Sequence, residues 1–222
     1  MKVLVVGGTG RTGMEIVKNL HGRGVVCRAL VRNLEKGQSY LPEGVELVEG
    51  DVLDLSSLRK AIAGCDYVIC ATGAAPSLNF AQPFLVDYQG TKNLISVIKN
   101  VIEESEVKRF VLVSSLCVSK LFHPLNLFWL VLWWKKQAED YIKASGISYT
   151  IVRPGGLNAT DTSKPIVVSG EDTLFGGSIP RSRVAEVCVE ALGAEEAKNK
   201  VLEVIAQEDG PQEDWVVKFS RV

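Results

Sequence analysis

The stretch KVLVVGGTGRTG, Lys2 to Gly13, decides the fold. Its first five residues are an apolar run of the kind found in a strand covered on both faces, and glycines follow at once. Gly7, Gly10 and Gly13 form a GxxGxxG run, and a helix is expected from Thr12 to Arg23, with Met14, Ile16, Val17 and Leu20 on its apolar face. Gly22 and Gly24 supply its stop signal. Residues 25–32, VVCRALVR, read as a second strand. Strand, helix and strand in this order make a βαβ unit, whose right-handed crossover sets the two strands parallel.

Outward from this unit the alternation continues. Strands are expected at 45–51, 67–72, 109–115, 147–153 and 201–206, and helices at Ser56 to Ala63, Pro83 to Glu104, Lys135 to Ser145 and Arg183 to Leu192. This predicts a doubly wound, parallel α/β sheet in a single domain, 1–222. Residues 154–222 form a small substrate-side portion, a short C-terminal strand-helix-strand extension.

A chain of 222 residues with 46% hydrophobic and 23% charged residues has the composition of a globular domain, which excludes disorder and coiled coil. Its 25 basic and 26 acidic residues nearly cancel, and no basic cluster is present, so nucleic acid is not an expected partner. Cys27, Cys65, Cys70, Cys117 and Cys188 show no CxxC spacing, and the two histidines are isolated. Neither a disulfide framework nor a metal site is expected, and reduced thiols fit a cytoplasmic or stromal compartment. The chain enters its first strand immediately, so no targeting segment is read. Leu121 to Trp134, LFHPLNLFWLVLWW, falls short of the roughly 20 residues of a membrane-spanning helix and is interrupted by His123, Pro124 and Asn126. Residues 122–134 are read as an aromatic lid or docking segment.

The glycine run lies where a turn between strand and helix aims backbone N–H groups and the helix dipole at a pyrophosphate. Where an NAD site usually carries an acid for the ribose 2′-hydroxyl, this chain has Arg32. A guanidinium there attracts a 2′-phosphate, and Arg11 can converge on it, so NADP(H) is favoured over NAD(H). Ligands in open α/β sheets lie outside the carboxyl ends of strands. That rule adds Asp51 and Val52 at the adenine side, and Ala71, Thr72 and Gly73 at the ribose and diphosphate side.

The motifs GGTGRTG, ALVRN, EGDVLD, CDYVICATG, RFVLVSS, KQAEDYI and YTIVRPGGL occur in the order and spacing of a known family. Together they resemble the atypical short-chain dehydrogenase/reductases of the NAD(P)-binding type. That group includes the NmrA-like proteins, the B-type biliverdin/flavin reductases and the dehydrogenase-like domain of chloroplast Tic62. The string from FHPLN to RPGGL is most similar to the plastid and cyanobacterial branch. The resemblance implies a Rossmann-type domain that binds NADP with Thr9, Arg11, Thr12 and Arg32 near the adenosine. Pro154, Gly155, Gly156 and Leu157 would lie near the nicotinamide, with Ser114 beside the cofactor. Catalytic members use a Ser with a Tyr-x-x-x-Lys pair; here Ser115 (or Ser114) matches the Ser and Lys136 the Lys, while the Tyr position is Leu132.

An apolar side chain cannot donate a proton. Tyr141 and Tyr149 lie outside the motif spacing. The expected chemistry is therefore reduction of a planar acceptor, such as a flavin or quinone, that needs no positioned tyrosine. Lys136 would hold ribose hydroxyls and Ser115 would orient the substrate. Phe128, Trp129, Trp133 or Trp134 would provide a flat wall. The rival expectation is an NADP(H)-responsive binding protein that docks a protein or membrane surface through Leu121 to Trp134. A sugar-nucleotide epimerase would need the Tyr and a larger C-terminal domain.

Overall fold

In a computed structural model that describes residues 1–74, 79–101, 107–127 and 129–222, β1 (Lys2–Val6) pairs in parallel with β2 (Val26–Val31), from Lys2 opposite Val26 to Val6 opposite Leu30. Helix α1 (Arg11–Gly22) crosses between them. The sheet grows on both sides through β3 (Glu46–Glu49), β4 (Tyr67–Cys70), β5 (Arg109–Val113), β6 (Tyr149–Pro154), β8 (Ile166–Ser169) and β10 (Lys200–Ala206). Its order is β3-β2-β1-β4-β5-β6-β10-β8, parallel throughout except for β8, which runs antiparallel to β10. Strand order reverses between β1 and β4. In doubly wound sheets that switch opens the crevice where ligands bind.

Alternation along the strands divides the core into two faces. Val3 and Val5 join Ile16, Val17 and Leu20 of α1 and Val184 and Val187 of α6 (Arg181–Glu190). Leu4 and Val6 face α3 (Leu55–Ile62) and α4 (Gly90–Val101), where Leu58, Ile62, Leu94 and Ile98 are fully or nearly fully buried. Phe110 and Leu112 of β5 share that second face with Ile142 of α5 (Val131–Ala144).

Four local features differ from the expectations. The helix expected from Pro83 begins as a π-helix over Pro83–Gln89 and continues as α4, and its expected end at 102–104 lies outside the described residues. Helix α5 starts at Val131, four residues before the expected Lys135. A short helix α2 (Leu34–Tyr40) follows β2, capped by Asn33, whose side chain accepts the Lys36 amide at 2.8 Å. After β6, short strands β7 (Gly156–Asn158) and β9 (Ser178–Pro180) pair with each other, and a last helix α7 (Trp215–Ser220) closes the chain.

Candidate functional site

Beyond β1 the chain turns through Gly7 at φ +83°, and the Gly10 amide donates to the Gly7 carbonyl at 2.9 Å. A Cβ on Gly7 would lie 3.0 Å from Ala71 and Thr72 backbone, and one on Gly13 would lie 2.0 Å from the Gly7 carbonyl oxygen. The loop is thus packed so closely between β1, β4 and α1 that side chains are excluded. It borders a cleft of about 240 Å³ lined among others by Gly7, Arg32, Asp51, Val52, Thr72 and Gly73. These residues, expected from the sequence at the ends of four strands, meet in one place. Thr9 and Thr12 are half-buried on the same turn, and Ala71 is tied to β1 by its amide donating to the Val6 carbonyl at 2.9 Å.

Among the described residues Arg11 and Arg32 are exposed and enter no ion pair. Asp51 also lines the cleft, and its Oδ1 accepts the Leu53 amide at 2.9 Å. This cradle could hold a dinucleotide, its pyrophosphate met by the glycine amides, with the unpaired Arg32 guanidinium on the cleft wall.

Next to the cleft lies a polar cluster that the sequence reading missed in part. Asp87, buried within the π-helix, accepts from Lys135 Nζ at 2.7 Å and from the Ala74 amide at 3.2 Å. A Cβ on Gly73 would come 3.8 Å from Lys135 Nζ. Thr72, Thr91, Ser114 and Ala138 pack around this pair. A one-residue π insertion re-aims the side chains that follow it and recurs at functional positions. The sequence signal for Asp87 is that it is the lone acid between Pro83 and Val101.

The lysine that reaches this cluster is one residue from the one expected, and of the two serines left open by the sequence Ser114 is the one that joins it. Lys136 pairs with Asp140 at the surface, whereas Lys135 reaches the cluster. The reason is helical phase: Lys135, Ala138, Glu139 and Ile142 repeat at i, i+3, i+4 and i+7 on the inward stripe, which leaves Lys136 half-buried beside the exposed Asp140. Counted from Lys135, the Tyr position is Val131, still apolar. Just past β5, Ser114 is buried and bonded to α5, while Ser115 is half-buried, its hydroxyl without a hydrogen-bond partner among the described residues.

Ser114 Oγ donates to Glu139 Oε1 at 2.5 Å. Glu139 also receives Arg153 Nε at 3.0 Å and Nη2 at 2.6 Å. Arg153, fully buried at the end of β6, further binds Glu203, Glu171 and Asp172. Burial opposes its charge, but the hydrogen bonds and charges of Glu139, Glu171 and Asp172 outweigh that and hold the guanidinium above its ordinary value. Glu203, also fully buried, accepts the amides of Asp172, Thr173 and Leu174. The loop 171–174 is thereby stapled over the carboxyl ends of β6 and β10.

Pro154 and Gly155 are buried, and Gly156 and Leu157 exposed. The amides of Gly155 and Gly156 donate to Val204 and Gly177 carbonyls, each at 2.9 Å, so both are engaged in strand pairing. A Cβ on Gly155 would lie 2.7 Å from the Gly177 oxygen. Trp134 packs edge-on against Phe84 at 4.9 Å, with Tyr88 beside both. Trp129 and Trp133 are exposed, and Phe128 lies outside the described residues. Burial raises the Cys70 thiol, whose Sγ lies 3.2 Å from Thr72 Oγ1. No group able to hold a metal ion occurs among the described residues, and no helix there is long and apolar enough to cross a membrane.

The chain is 42% identical to an uncharacterized chloroplastic protein of Arabidopsis thaliana, over all of this chain and 82% of that one. It is 37% identical to the chloroplastic protein TIC 62 of Pisum sativum, over 94% of this chain and 43% of that one. Against sanguinarine reductase of Eschscholzia californica it is 32% identical, over 100% and 96%. A solved structure of an NAD-dependent epimerase/dehydratase-type protein from Bacillus halodurans shares its fold with a TM-score of 0.85, at 30% identity over 95% and 96% of the two chains. Residues 7–195, which run from the glycine turn past α6, match the NAD(P)H-binding family, and this chain belongs to it.

Proposed function

We propose that the protein is an NADPH-dependent reductase of a planar acceptor, such as a flavin or quinone. The observation that carries this reading is the Lys135–Asp87 pair beside Thr72 and Gly73, at the edge of a cleft that ends in the free Arg32, with an apolar residue in place of the catalytic tyrosine. A bound dihydronicotinamide supplies a hydride. The chain's own residues bind and orient. The glycine turn presents amides to the pyrophosphate, and Arg11 and Arg32 favour a 2′-phosphate over a bare hydroxyl. Asp87 fixes the Lys135 ammonium at Gly73, where it can donate to ribose hydroxyls. Without a positioned acid, the proton that completes reduction comes from water, which suits acceptors whose reduced form is itself readily protonated.

The relative named a reductase supports the reaction class, and the chloroplastic relatives support a plastid setting. The test is titration of the pure protein with NADPH and NADH, followed by addition of FMN, a soluble quinone and biliverdin while nicotinamide absorbance is recorded. NADPH oxidation well above the protein-free rate, lost in Lys135→Ala, is expected. Tight NADPH binding without oxidation by any acceptor would overturn the reductase reading in favour of an NADP(H)-responsive binding protein, the reading that the exposed apolar side chains before α5 favour.

A further inference from the structure

The cleft has a wall that the strand ends do not supply: Gln82, Leu85 and Val86, at and within the π-helix, line it together with the turn after β3. That turn, Gly50 to Leu53, is held from two sides. From α3, Ser57 Oγ accepts the Asp51 amide at 3.2 Å and donates to the Asp54 carbonyl at 3.0 Å, and a Cβ on Gly50 would lie 2.6 Å from the Ser57 side chain. From α4, Asn93 Nδ2 donates to the Val52 carbonyl at 3.0 Å.

Asn93 is itself held. Its Oδ1 accepts Gln89 Nε2 at 2.9 Å, which fixes the end of the amide that turns to Val52. Gln89 is the last residue of the π-helix, and Asn93 stands one turn further on, on the same face. Between them, a Cβ on the buried Gly90 would lie 2.7 Å from Val52 Cγ2, so the Val52 side chain sits in a notch that glycine leaves. Of the amides from Gly50 to Asp54, only that of Val52 has no acceptor among the described residues. The Val52 carbonyl is spent on Asn93 while the Val52 amide stays available in a turn that cannot swing away.

We propose that Asn93 is a positioning residue for the base of the bound dinucleotide. By holding the Val52 carbonyl, with Gln89 behind it and Gly90 making room for Val52, it keeps the free Val52 amide and the Asp51 carboxylate in place for the purine edge. A turn already ordered before binding loses less freedom when the nucleotide arrives. The π-helix that anchors Lys135 through Asp87 at one end of the cleft thereby sets the other end through Gln89. The proposal rests on the reading that Asp51 and Val52 meet the adenine, and not on the reductase reading.

The experiment is titration of the full chain with NADPH and with its hypoxanthine analogue, followed by dihydronicotinamide fluorescence. In the analogue a carbonyl replaces the exocyclic amino group and the adjacent ring nitrogen carries a proton, so donor and acceptor are exchanged on that edge. Both nucleotides carry the same 2′-phosphate and nicotinamide, so Arg32 and Lys135 drop out of the ratio of their affinities. The parent is expected to bind NADPH about tenfold more tightly than the analogue, which leaves polar groups unpaired. In Asn93→Ala that ratio is expected to fall to about twofold, because the turn no longer presents one fixed edge. Gly90→Ala keeps the Asn93 hydrogen bond but drives Val52 from its notch; it should lower the ratio in the same way, and it decides the matter if Asn93→Ala does not fold. A purely structural role would weaken both nucleotides equally and leave the parent ratio, and that result would overturn the proposal. A parent that binds the two nucleotides alike would overturn the reading of Asp51 and Val52 as base contacts, and the proposal with it.

Discussion

Lys135 and Lys136 are neighbours with different fates. Lys135→Met leaves the buried Asp87 carboxylate without its cation and is expected to lower stability by about 3 kcal/mol. Lys136→Met removes an exposed pair with Asp140 and should change stability by no more than about 0.5 kcal/mol. Urea unfolding of both variants checks this; equal losses would mean that Lys135 is not the inward lysine. Arg32 stands alone at the other end of the cleft. Arg32→Asp is expected to weaken NADPH binding by tenfold or more, about 1.4 kcal/mol, while leaving NADH binding little changed. Titration with both nucleotides decides, and equal loss for the two would remove the charge argument.

At the scale of elements, the π-helix and α5 act together. The π turn places Asp87 against α5, and Thr91 Oγ1 donates back to the Asp87 carbonyl at 2.8 Å, so the irregular turn is secured from within. Helix α5 lacks a cap from its own preceding residue, Leu130, which is left-handed at φ +58°. Asn126 takes over that duty by accepting the Leu132 and Trp133 amides. Asn126→Ala is therefore expected to cost about 1–2 kcal/mol, the range of a lost N-cap. Amide exchange at Leu132 and Trp133 should accelerate in the same variant. Unchanged exchange there would show that the helix start is held by packing alone.

For the molecule as a whole, Arg153 joins parts that are distant in sequence. Its partners Glu139 and Glu203 lie 14 and 50 residues away, on α5 and β10, and its contacts with Glu171 and Asp172 bring in the loop over the sheet end. Replacing it strands two buried carboxylates. Arg153→Met is expected to destabilise by about 3–5 kcal/mol, a fall in Tm of roughly 10 °C for a chain of this size. Thermal unfolding followed by circular dichroism measures it. A loss below about 1 kcal/mol would mean that the carboxylates regain water or protons at little cost.

Legible in the chain alone were the βαβ start, the doubly wound parallel sheet, the glycine turn and the gathering of Arg32, Asp51, Thr72 and Gly73 at strand ends; the sheet order and the antiparallel β8 were not. The legible features follow from local periodicity together with the handedness of crossovers, which act along the chain. Only the tertiary structure decided which of two adjacent serines and two adjacent lysines turn inward. One step rotates a side chain by about 100° on a helix and 180° on a strand, so an error of one position reverses the face. Asp87 stood out in the sequence only as a lone acid in its segment; its role depends on a lysine 48 residues away and on a π turn that no spacing rule announces. The amides of the glycines after β6 are engaged in pairing that forms only when the chain before β9 and β10 returns to the same edge, which no local pattern announces. The tryptophans could equally have filled a core. Trp134 does pack against Phe84, and the exposure of Trp129 and Trp133 was fixed by the fold of the loop around Asn126.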